Sequence, residues 1–239
     1  MAKRQYFLIV DTETTQDNLV ADFGAVICDR NGKIYNQCAV MVDGIFTDKE
    51  NHPLFHDFGD TNTIWSKKAL PKRYEKYNNM VKNGRRMIAS VTAINRWLSQ
   101  AQGKYNPMLT AYNLPFDTNK CDNTGIDLTV FSERFCLWSA AYTKWAKSKN
   151  YLRFVLNNHA FNPPTEKGNM TFQTNAEIMT RFVLNNPELA DEPHTALEDI
   201  IYYELEIFKA LMKNTSKAQL LEVTPYNWRE TQVKDHFKV

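Results

Sequence analysis

No stretch of the 239-residue chain approaches the ~20 apolar residues of a membrane-crossing helix. The N-terminus opens on basic residues as a secretory signal does, but its apolar run, Tyr6–Val10, is five residues long and two acids follow at once. A signal core needs roughly 7–15 apolar residues, so a soluble, non-secreted, cytoplasmic protein is expected. Cysteine is scarce: Cys28, Cys38, Cys121 and Cys136 include no C-x-x-C pair, which removes a zinc knuckle and a redox dithiol and leaves reduced, mostly buried thiols. No H-E-x-x-H is present. His52 and His56 stand four apart, as a zinc pair on a helix would, but Pro53 lies between them and loop histidines are the simpler account. Net charge is +2, too small a surplus to imply a nucleic-acid coat by itself. There is no internal repeat and no low-complexity tract.

What is present is an ordinary apolar fraction, 43%, able to build a real core. Residues 6–10 form a short, continuously apolar strand of the kind buried on both faces of a sheet, ending at Asp11 and Glu13. Two further strands, Ala21–Cys28 and Lys33–Val42, flank Arg30-Asn31-Gly32, where Asn-Gly supplies the positive φ angles of a tight hairpin. Residues 43–85 break this rhythm and mix Phe46, Phe55, Phe58 and Trp65 with Pro, Gly and charge, as an insertion with its own small contacts would. Apolar spacing of three and four predicts a helix over Met87–Gln102, and helical periodicity returns at Ser139–Arg153, Thr174–Leu184 and Thr195–Met212. Pro107–Tyr112 and Arg134–Trp138 are the fourth and fifth strands. This order implies an α/β domain over 1–213, a mixed five-stranded sheet of three antiparallel strands then parallel ones, flanked by helices. Residues 214–239 form a patternless C-terminal tail.

The chemistry concentrates in three places. Residues two apart in a strand share a face, so Asp11 and Glu13 present both carboxylates together; they repel unless a cation bridges them, and hard divalent ions prefer such oxygen ligands. A lone D-x-E also marks a strand's exit to solvent. Asp117, in AYNLPFD, follows a strand at the start of a helix, where it could equally be a cap. In EPHTALEDIIYYELEIFKAL, Thr195 and Glu198 fit a capping box, which makes Thr195 the N-cap. His194 and Asp199 then fall at the two positions that meet in a hydrophobic staple, yet neither is hydrophobic. An imidazole beside a carboxylate suits a base or a ligand.

D-x-E, then N-x-x-F-D about a hundred residues later, then H-x-x-x-x-D near the C-terminus, together resemble the DEDDh family of 3′→5′ exonucleases, with the ribonuclease H-like fold, across most of residues 5–213. The resemblance implies that Asp11, Glu13, Asp117 and Asp199 hold two divalent ions, Mg2+ or Mn2+, with Asp11 bridging them, and that His194 is the general base. It implies a single-stranded DNA or RNA 3′ end bound near Thr12, Thr14, Thr15, Asn113 and Phe116. Where many relatives carry Gly after the two threonines, this chain has Gln16. Proofreading would need a separate polymerase or another replication or repair protein, which the tail could serve; no membrane partner is expected.

Between Lys67 and Arg86, eight basic residues face one acid, Glu75, with Tyr74 and Tyr77 interleaved. That mixture suits the phosphates and bases of a single strand, and equally a solvated charged face. Residues 144–153, KWAKSKNYLR, share this composition. The alternative to an enzyme is a non-catalytic nucleic-acid-binding or polymerase-associated module that keeps the fold, although such modules tend to lose acidic ligands.

Overall fold

A computed structural model describes residues 4–55, 73–165, 167–223 and 225–237. The chain opens with β1 (Tyr6–Thr14), β2 (Val20–Asp29) and β3 (Ile34–Val42), an antiparallel set. Then come α1 (Arg73–Lys82), β4 (Met87–Ala89), α2 (Val91–Tyr105), β5 (Met108–Ala111), α3 (Leu114–Thr124) and β6 (Arg134–Cys136). The remainder is helical: α4 (Leu137–Ala141), α5 (Lys149–Asn157), α6 (Ala176–Leu184), α7 (Ala196–Asp199) and α8 (Leu205–Met212), with π-helical turns at Tyr142–Ala146 and Ile200–Glu204.

The mixed α/β sheet has the order β4-β3-β2-β1-β5-β6, with β5 parallel to β1 and β6 parallel to β5. β1 is buried on both faces because its side chains alternate between two cores. Phe7 and Ile9 pack with Phe208, Leu211 and Met179 on one side; Leu8 and Val10 pack with Leu98, Leu109 and Phe131 on the other. The alternation carries Asp11 and Glu13 onto the Phe7–Ile9 side, the one covered by α7 and α8.

Several local expectations change. β1 does not stop at the carboxylates. Pairing with β2 continues through Asp11↔Gly24 and Glu13↔Asp22 before a register shift between Glu13 and Thr14, so both acids are fixed by ladder hydrogen bonds. The sheet has six strands, because Met87–Ala89 pairs in parallel with β3 and the helix begins only after Ser90, whose hydroxyl accepts from Ala93 N–H. The β2–β3 turn uses positive φ at Gly32 alone (76°), while the Asp29 carboxylate accepts from Asn31 and Lys33 N–H. The Ser139–Arg153 helix breaks at Lys147–Ser148, where Ser148 caps α5. The tail packs on the body: Phe172 N–H donates to Thr231 O, Val233 N–H to Met170 O, and Leu220 is buried.

Tyr77 is fully buried and Tyr74 stacks on Phe46 with centroids 5.7 Å apart, so neither is a free platform for bases. Phe58, Trp65, His56 and the Lys67–Lys72 part of the basic run lie outside the described residues. His52 instead pairs with Asp17 at 2.7 Å. In 144–153, Tyr151 is buried and Trp145 meets Phe182 edge-on. The four cysteines are free thiols; burial pushes Cys38 up to about 11. Among the described residues no helix is long and apolar enough to cross a membrane.

Candidate active site

The parallel strands β1, β5 and β6 deliver their C-terminal ends to one place, where open α/β sheets form ligand crevices. A cleft of about 340 Å³ lies there, lined by Asp11 and Glu13 from β1, Asn113, Phe116 and Asp117 after β5, and Trp138 after β6. His194, Asp199, Glu192 and Glu204 close the opposite wall. A hollow of about 410 Å³ bounded by Asp122 and Arg134 holds none of the motif carboxylates.

Each acid is placed by a specific local device. Asp117 sits in the first turn of α3, entered through Asn113 at φ 80°. It is not the cap: its Oδ1 accepts the Thr12 hydroxyl at 2.8 Å. Thr12, between the two strand acids, therefore supports Asp117, while Thr15 is used in the turn to Leu19 and Gln16 N–H donates to Pro53 O. Thr12, Thr14 and Thr15 do not line the cleft, whereas Asn113 and Phe116 do. Phe116 is 42% exposed, with the Lys120 Nζ 4.9 Å from its ring centroid.

Asp199 reaches the cleft because α7 can touch the sheet. A Cβ on Gly24, the residue paired with Asp11, would stand 2.6 Å from Ala196 C and Leu197 N. Thr195 is the N-cap by position, but the expected capping box does not form. Glu198 is drawn to Arg86 (2.5 Å), and the buried donors at the helix start find other carboxylates. Thr195 N–H donates to Asp199 Oδ2 and Ala196 N–H to Asp22 Oδ2, both at 3.0 Å. Asp22 and Arg86 are themselves a fully buried ion pair, 2.9 Å apart. Gly24→Ala is expected to push α7 off β2, costing about 1–3 kcal/mol as overpacking does. Urea unfolding checks the stability, and calorimetric Mn2+ titration the displacement of Asp199.

His194 lies at φ 51°, a left-handed conformation that turns the chain just before α7. One ring nitrogen and one carboxylate oxygen each from Glu13 and Asp199 lie within 4.8 Å of one another, close enough to surround one ion. The helix from the 43–85 segment clamps this turn. Arg73 Nη2 donates to Glu13 Oε2 (2.7 Å) and His194 O (3.3 Å), Tyr77 Oη also donates to His194 O (3.3 Å), and Lys76 Nζ donates to Pro193 O (2.5 Å). Helix α1 thus supplies the buried guanidinium beside Glu13, a role the sequence did not signal.

The electrostatics are those of a site short of positive charge. Burial pushes the Asp117 carboxyl up to about 8, with the Thr12 hydroxyl pulling it down and Glu13 adding to the rise. Asp11 is held well above the usual carboxylate range, first by burial and then by Glu204, Asp117, Asp199 and Glu13. Asp199 is raised by burial, then by Glu13, Glu192 and Glu204. Asp117 Oδ2, Asp199 Oδ1 and Glu204 Oε2 are buried without a hydrogen-bond partner among the described residues. Orphaned anionic oxygens of this kind are costly unless a cation meets them, and an all-oxygen set suits Mg2+ or Mn2+.

No family model matches the chain, and no curated protein matches it in sequence. A solved structure of E. coli Exonuclease I in complex with a 5cy-dT13 oligonucleotide superposes at a TM-score of 0.46 and 13% identity. The match covers 89% of this chain and 41% of that chain, so this protein spans about two fifths of that one's length.

Proposed function

We propose that the chain is a metal-dependent 3′→5′ exonuclease that hydrolyses the terminal phosphodiester of single-stranded DNA or RNA and releases nucleoside 5′-monophosphates. The observation that carries this reading is the meeting of Asp11, Glu13, Asp117, Asp199 and His194, from three separated stretches of chain, on one cleft containing orphaned carboxylate oxygens.

The four motif carboxylates would hold two divalent ions, which when bound stabilise the attacking and leaving oxygens of an in-line displacement at phosphorus. The remaining steps belong to the protein. His194, turned toward Glu13 and Asp199, accepts a proton from the attacking water. The Phe116 ring, exposed at the rim, offers an apolar face to the terminal base, and Lys120 beside it favours the polyanionic strand. Arg73 orients Glu13 through a 2.7 Å charge-assisted bond.

A 5′-labelled single-stranded oligonucleotide incubated with Mg2+ should shorten stepwise from its 3′ end, and a 3′-phosphate should suppress the cutting. Immediate internal cleavage would make the protein an endonuclease. Retained binding of the strand without hydrolysis, across Mg2+ and Mn2+ and a range of pH, would favour the non-catalytic module instead. Matched DNA and RNA strands in the same assay decide the sugar preference.

A further inference from the structure

Glu204 belongs to none of the sequence motifs, and helical periodicity places it away from Asp199. It nevertheless lines the cleft, because Ile200–Glu204 is a π-helical turn in which Leu205 N–H donates to Ile200 O. Hydrogen bonds spanning five residues stack positions i and i+5, which brings Glu204 onto the Asp199 face. The widened turn is secured from outside by the buried Thr180 hydroxyl, which donates to Tyr203 O at 3.1 Å, and by Tyr203 Oη, which donates to Ala190 O at 2.6 Å. π-turns of this kind gather at functional sites because they re-aim a side chain at the expense of regular helix.

The Glu204 side chain is 3% exposed, and among the described residues its Oε2 has no hydrogen-bond partner. Arg73 pairs with Glu13, and among the described residues no lysine or arginine pairs with Glu204. Glu204 is also the acid that acts most strongly on Asp11, while Asp117 is the acid that acts most strongly on Glu204. A buried carboxylate in an acidic cleft stays uncompensated unless an ion or a proton meets it.

We propose that Glu204 is a fifth carboxylate of the metal site, adding its unpartnered oxygen to the acids that line the cleft. This rests on the proposed metal-dependent reading of the same cleft, and it adds a ligand that the four-acid motif lacks. The π-turn then has a purpose, since an unbroken α-helix would point position 204 elsewhere.

The test is calorimetric titration of Mn2+ into metal-free wild-type protein, Glu204→Gln and Glu204→Ala, with melting curves of each in the presence and absence of Mn2+. Either folded variant should lose one Mn2+ equivalent or bind it about tenfold or more weakly. Each should melt at or above the wild type without metal and gain less from Mn2+. Unchanged stoichiometry, affinity and Mn2+-induced stabilisation in both variants would overturn the assignment, as would a wild type that binds no Mn2+. A wild type that binds Mn2+ but cuts no nucleic acid would sink the exonuclease reading and leave Glu204 as a ligand.

Discussion

Asp11→Asn is expected to lower metal-dependent hydrolysis by about 10³-fold or more, the equivalent of several kcal/mol of lost charge stabilisation, while raising the melting temperature of the metal-free protein. Asp11 lies at the centre of the acids: burial and four neighbouring carboxylates hold its pKa far above the ordinary range. An amide of the same shape removes that repulsion and also removes a ligand. A raised acid binds its proton more tightly in the folded state than in the unfolded chain, so its contribution to stability is present below pH ~4 and lost as pH rises through the folded value. For Asp117 that value is about 8. Metal-free wild type should therefore melt progressively lower from about pH 4 to pH 8 as these acids ionise. Asp11→Asn should show a shallower decline, and saturating Mg2+, which binds the ionised forms, should flatten it in the wild type. Melting curves across this range with and without Mg2+, together with the oligonucleotide assay, check each part. A metal-free variant less stable than wild type at pH 8 would mean that Asp11 is not a repelled charge.

Much of the sheet was legible because period-two burial is a local signal. The YFLIV run announced a strand buried on both faces, and its continuation through Thr14 was hidden only because two charges look like a strand's end. Nothing near Asp11 in sequence indicates that β2 pairs with it as far as Glu13. Met87–Ala89 was drawn into a helix for a related reason: Ile88 fits the apolar spacing of α2, while the parallel pairing that makes it a strand comes from β3, nearly fifty residues earlier. Ser90, a good N-cap, was the available sign that the helix starts later.

The motif residues were legible because their chemistry is unusual for their positions: two acids on a core strand, and a histidine and an aspartate where a staple should be apolar. What positions them was not. Gly24 matters because helix backbone lies against it, and Asp22 because it accepts from Ala196 N–H across a long sequence gap. Arg73 looked like one more member of a basic run, yet it is 3% exposed and paired with Glu13. Glu204 was concealed by an assumption of regular α-helix. A single π-turn shifts the face of every later residue, and apolar periodicity across Thr195–Met212 does not resolve it.

His194→Asn is expected to reduce turnover by about 10²–10⁴-fold at saturating Mn2+, the usual contribution of a positioned general base. Asparagine is the informative replacement because it tolerates the left-handed backbone at φ 51°, which alanine would strain. The turn itself should persist, since Arg73, Tyr77 and Lys76 hold its carbonyl groups at residues 193 and 194 rather than its imidazole. Mn2+ affinity should change little, because the carboxylates that carry the charge remain. A protonated imidazole cannot accept a proton, so wild-type turnover should climb as rising pH frees the ring of its proton. That climb should disappear in the variant, and added imidazole should restore part of the rate. If Mn2+ binding collapses along with activity, His194 is a metal ligand grouped with Glu13 and Asp199; if turnover at neutral pH is unchanged, the proton goes elsewhere.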